Sequence, residues 1–122
     1  METRCRLTDS GSLRIIVYKG LMAMVIVQGV FSVEPGDRDR FVEMSVESMR
    51  VSRQEEGCLE YVMAADPLDP ARVVLSERWE SMDHLQEHLA RQRSAPRGLE
   101  SRPVPQSVEV TLYEVESSRP LR

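Results

Sequence analysis

Turn-forming residues cut the stretch from Met24 to Val115 into short apolar segments, each long enough for one strand or one helix and no more. Met24 to Val33 is rich in Val, Ile and Phe and stops at Glu34-Pro35-Gly36, a strand closed by a turn. Asp37 offers a side-chain oxygen as an N-cap, so a helix is expected from there to Arg53 or Gln54. At roughly 100° per residue, that helix turns Asp39, Arg40, Glu43, Glu47, Arg50 and Gln54 to one side. Phe41, Met44, Ser45, Ser48, Met49 and Ser52 fall on the other. Gly57 breaks the pattern, and Cys58 to Ala65 and Arg72 to Trp79 read as strands parted by Asp66-Pro67 and Asp69-Pro70. Ser81 can cap a second helix with an apolar stripe of Met82, Leu85 and Leu89, fading near Arg93. Residues 94–106 carry three prolines and one glycine and are expected to be irregular before a last strand, Ser107 to Val115.

Strand, helix, strand, strand, helix, strand is the ferredoxin-like βαββαβ order, an α+β fold with an antiparallel sheet and two helices on one face. The other face decides the assembly. Cys58, Val62 and Ala64 alternate with Leu59, Tyr61 and Met63, and Val108, Val110 and Leu112 alternate with Thr111, Tyr113 and Val115, so both faces are expected to be largely apolar. Two helices cover one face only, and a monomer would expose more apolar surface than is usual. A second copy of the chain is the expected cover, as a homodimer. The domain is expected over residues 22–116, with residues 1–21 an extension, flexible or adding a short strand near Leu13 to Tyr18, and residues 117–122 a tail.

Composition narrows the function classes. A net charge of −4 and a pI near 5.2 argue against nucleic acid as a partner, because phosphate binding draws on clustered Lys and Arg. Cys5 and Cys58 have neither disulfide-framework nor zinc-ligand spacing, which favours a reduced, cytoplasmic setting. The longest apolar run, Leu21 to Val27, is far shorter than the roughly 20 residues of a membrane helix, so no membrane association is expected.

Glu56-Gly57-Cys58-Leu59-Glu60-Tyr61, then Asp66-Pro67, Asp69-Pro70, Glu77-Arg78-Trp79-Glu80-Ser81 and Leu85-Gln86-Glu87-His88 form an ordered series, preceded by Val33-Glu34-Pro35-Gly36. In order and spacing this series, over about residues 23 to 116, resembles the antibiotic biosynthesis monooxygenase family. The resemblance implies a dimeric α+β barrel whose sheets pack on one another, with a pocket in each subunit between sheet and helices. It also implies a cofactor-independent monooxygenase that oxidises a small aromatic quinol or phenol with molecular oxygen, using no flavin, haem or metal. A shared fold hosts several chemistries, so a non-catalytic dimeric module binding a small ligand, or a non-redox isomerase or decarboxylase, stands beside it.

Oxygenation without a cofactor needs a base that makes the substrate electron-rich, and a dry pocket. His88 is the candidate catalytic base, since imidazole accepts protons near neutral pH and the resemblance places it at the family's recurrent histidine. On the helical wheel it lies roughly 90° from the apolar stripe, at a border from which a cavity is within reach. Trp79, Tyr61, Phe41, Met44 and Met49 are candidates to line an aromatic substrate's site, though core packing explains such residues as well. Ser48, with Ser45 and Ser52, can donate to a quinol oxygen or simply let the helix approach the sheet. Glu77 shares its strand face with Val73, Leu75 and Trp79, so its carboxylate is expected to be buried and to need a partner from another element or subunit. His84 and His88 have the spacing of a metal pair but no third ligand, and no metal is expected. Many family members carry a second histidine about five residues after the first, where this chain has Arg93. The places that match the residues of haem-degrading relatives hold Gly29, His88 and a residue near Ser94, which argues against haem degradation.

Overall fold

A computed structural model describes residues 3–10, 13–19, 23–95 and 102–122, with side chains described for 23–95 and 102–122. In chain order the elements are β1 (Thr3–Ser10), β2 (Leu13–Lys19), β3 (Val25–Ser32), a 3-10 turn (Pro35–Asp37), α1 (Arg38–Glu43), α2 (Val46–Arg53), β4 (Cys58–Ala65), β5 (Arg72–Trp79), α3 (Met82–Ser94) and β6 (Ser107–Glu114). β1 and β2 pair with each other as an antiparallel two-stranded sheet.

The four strands from β3 onward make one antiparallel sheet in the order β4-β5-β3-β6, and the helices pack on one of its faces. This is the expected ferredoxin-like arrangement. The expected barrel is not: β4 and β6 stand at opposite ends of an open sheet, and no ladder joins them. Four strands turn through too little of a circle for their edges to meet, so the sheet stays a single twisted layer. No helix among the described residues is long and apolar enough to cross a membrane.

β5 sits at the sheet's centre and alternates strictly, burying Val73, Leu75, Glu77 and Trp79 on the helix side and half-burying the residues between them. Opposite it on the same face lie Val25, Val27 and Phe31 of β3 and Tyr61 and Met63 of β4. With Phe41, Met49 and Leu85 from the helices, these residues form the core. The reverse face is more polar than expected. Glu60, Ser76, Arg78, Gln28 and Glu109 interleave there with Val62, Val74 and Val30, because the alternate positions of the central strands carry charge and hydroxyls.

The first helix is also not continuous. The Ser45 hydroxyl donates to the Phe41 carbonyl at 2.8 Å, the backbone N–H of Ser45 turns back to Val42, and the helix breaks at Met44-Ser45. Such back-bonding competes with the helical ladder and bends it. Asp37 makes no capping bond, since Pro35-Gly36-Asp37 closes as a 3-10 turn on the Glu34 carbonyl instead. Ser81 caps α3 as expected, in extended backbone, with its oxygen accepting from the His84 amide. Gly57 joins α2 to β4 with φ of 82°, and a Cβ there would fall 2.2 Å from the His84 ring. Only glycine satisfies both the backbone and the close approach.

Candidate functional site

The helices cover β4, β5 and β3 but leave β6 open. Val108, Val110 and Leu112 share the helix-side face with Phe31, Gly29 and Val27, yet remain 51%, 51% and 43% exposed. Gly29 lets β6 come close: a Cβ there would meet Val110 at 3.1 Å and the Glu109 carbonyl at 3.2 Å. Between this half of the sheet and the helices lies a cavity of about 430 Å³. Its walls are mostly apolar, from Val27, Phe31, Met63, Leu75, Leu85 and Leu112. The polar groups on the walls are Ser48, Tyr61, Glu77, Gln92 and Arg102.

Burial sets the chemistry of these groups. Desolvation pushes the Glu77 carboxyl above the ordinary range, although the indole N–H of Trp79 donates to it at 2.8 Å and the nearby His88 ring favours its charged form. Burial and the charge of Glu77 likewise push the Tyr61 hydroxyl up, against hydrogen bonds with Gln92 and Ser48. Arg102 sits at the rim, its Nη2 donating to Ser45 Oγ at 2.7 Å and its guanidinium 4.3 Å above the Phe41 ring. Desolvation holds its pKa below that of a free guanidinium.

Behind the cavity wall is a second polar cluster. His88 is 1% exposed, with Trp79 and Tyr61 against its ring at centroid distances of 4.7 and 5.4 Å. Its Nδ1 lies 2.5 Å from Glu55 Oε1, and Arg91 donates to Glu55 Oε2 at 2.6 Å. Burial alone would raise the Glu55 carboxyl, but the bonds and charges of His88 and Arg91 outweigh it and hold it low. An ionised Glu55 can only accept, so in the neutral ring the proton sits on Nδ1 and Nε2 keeps its lone pair. Nε2 is fully buried and has no hydrogen-bond partner among the described residues, a condition that costs about 1–3 kcal/mol.

Of the residues singled out from sequence, Tyr61, Ser48 and Glu77 line the cavity. Trp79, Phe41 and Met49 are core, and Met44 is half-buried at the helix break. His88 is not the border residue expected: it is more buried than Leu89, which is 40% exposed, so the stripe of α3 runs through Leu85 and His88. The partner of Glu77 is Trp79 itself, two residues along the same face, not a group from another element. His84 and His88 diverge, with Nδ1 of His84 on the Ser81 hydroxyl at 2.8 Å. No group of three or more His, Cys, Asp or Glu among the described residues is arranged to hold a metal.

Glu55, Gln92 and Arg102 went unnoticed in the sequence. Gln92 was within reach, since it follows Leu85 and His88 at helical spacing on one face of α3. Nothing local marks Glu55 or Arg102, whose partners lie 33 and 57 positions away.

Comparison with known proteins places this geometry. No functionally curated protein matches the chain. Among solved structures, a candidate antibiotic biosynthesis monooxygenase from Deinococcus radiodurans superposes with a TM-score of 0.64 at 20% identity, over 80% of this chain and 98% of that one. Another candidate of the same description, from Chloroflexus aurantiacus, gives 0.59 at 23% identity, over 82% and 100%. The haem degrader MhuD from Mycobacterium tuberculosis, with two haems in its active site, gives 0.64 at 16% identity, over 79% and 99%. These likenesses establish the fold. The sequence model of the antibiotic biosynthesis monooxygenases matches residues 24–94, more than half of the chain, and the protein belongs to that family.

Proposed function

We propose that the protein is a cofactor-independent monooxygenase that oxidises a small aromatic phenol or quinol with molecular oxygen. The observation that carries this reading is the apolar cavity of about 430 Å³ with Tyr61 and Glu77 in its wall and the His88–Glu55 pair directly behind. The size suits a substituted aromatic ring, and the walls are mostly apolar. Loss of the phenol proton makes the ring electron-rich enough to pass an electron to oxygen. One oxygen atom then becomes a new ring carbonyl and the other leaves as water, the phenol supplying all four electrons.

His88 is the proposed base, through the Nε2 lone pair that no described residue uses. Glu55 orients the ring and stabilises the imidazolium that forms, as a carboxylate does for a catalytic histidine elsewhere. His88 does not itself line the cavity; Tyr61, which does, packs against its ring. The active unit is proposed to be a homodimer, because β6 leaves apolar side chains uncovered. The expected result is oxygen uptake with a hydroquinone that persists in a chelator and falls at least about tenfold in His88→Ala, a threshold set below the roughly 10²- to 10⁴-fold contribution of a general base. Unchanged turnover in that variant would remove His88 as the base and leave Glu77 as the proton acceptor. Ligand-dependent melting shifts with no turnover across a quinol panel would instead favour a binding module.

A further inference from the structure

Arg102 is a solvent-exposed cation at the rim of a mostly apolar cavity. Among the described residues no carboxylate pairs with it. A guanidinium carries five N–H donors, and among the described residues one bond is made, from Nη2 to Ser45 Oγ. The Phe41 ring beneath fixes the plane of the group without using its donors. The position is also pre-set: Ser45 is itself anchored to the Phe41 carbonyl, and Gln106 ties the following segment to the Ser32 carbonyl and the Glu34 carboxylate. A planar fork held by one corner, with no partner for its other donors among the described residues, is the arrangement that recognises a carboxylate in a bidentate way.

The one carboxyl in the cavity wall does not occupy this role. Glu77 accepts from the Trp79 indole N–H, and no ion pair joins it to Arg102. An aromatic acid lying in the cavity would thus have its carboxylate at the rim and its ring among Val27, Phe31, Leu75 and Leu112.

We infer that Arg102 is a specificity-determining residue and that the substrate is an aromatic phenol or quinol bearing a carboxylate. This rests on the monooxygenase reading for the reaction but not for the binding. Anaerobic calorimetry separates the two, using gentisate and its neutral amide, gentisamide, as probes of equal shape. Gentisate is expected to bind the unmodified protein about ten- to hundredfold more tightly than gentisamide, as charge-assisted bonds warrant. Arg102→Met is expected to erase the preference by weakening gentisate far more than gentisamide, and Arg102→Lys to keep part of it. Equal affinity for acid and amide in the unmodified protein, or no binding of either, overturns the inference independently of any variant. Equal weakening of both probes in Arg102→Met also overturns it, since Arg102 would then read the ring hydroxyls. A preserved acid preference without oxygen uptake in air would leave Arg102 in place and remove the monooxygenase reading.

Discussion

Glu77 and Glu55 show how position within one small core drives two carboxyls in opposite directions. Glu77 is buried beside an indole N–H and has its pKa raised, so its ionised form opposes folding. That penalty is absent below the unfolded value of 4.5 and complete once pH exceeds the folded pKa. Glu77→Gln keeps an acceptor for Trp79 and is expected to be more stable than the parent at neutral pH, with the difference vanishing toward pH 4 by urea unfolding. A variant that loses stability equally at both pH values would contradict burial as the cause. Glu55 has the opposite sign. Its pKa is lowered, so the stability it contributes is present above the unfolded value of 4.5 and is lost as pH falls through the folded one.

At the scale of elements, the connection from α2 to β4 couples two parts of the site. Gly57 adopts a positive φ with the His84 ring packed where a side chain would stand, and its carbonyl accepts from the Glu80 amide at 2.8 Å. This fixes the start of α3, and with it His88, relative to Glu55 at the end of α2. Gly57→Ala combines a left-handed backbone penalty with overpacking and is expected to destabilise by about 2–4 kcal/mol in denaturant unfolding. A loss below about 0.5 kcal/mol would mean that His84 moves aside freely. Gly57 was legible as a breaker in the sequence, because a glycine after a helical run ends it. Its contact with His84 was not, because that neighbour lies 27 positions later and reaches it through the tertiary fold.

For the molecule as a whole, β6 is the unfinished part. Its residues are exposed on both faces, including Tyr113 at 48% and Val108 and Val110 at 51%, although each pairs in register with β3. Burial of such side chains contributes roughly 1.5–3 kcal/mol each, so a partner that covers them gains substantially. The proposed homodimer is expected to sediment at twice the 14.0 kDa of the chain at micromolar concentration. A stable 14.0 kDa species under those conditions would rule it out.

The succession of strands from β3 to β6, the limits of β4 and β5 and the alternation of β5 were legible in the sequence, since turn residues and side-chain period act within a few positions of the chain. β4 and β5 begin and end at the expected residues, and Glu77 is buried on the expected face. What only tertiary structure decided is which polar groups meet. His88 gained Glu55 and a buried stack on Trp79, Arg102 gained Ser45 and the cavity, and the sheet stayed open. Each of those outcomes depends on segments remote in sequence and on how far helices extend over a sheet, and neither quantity is written in local periodicity.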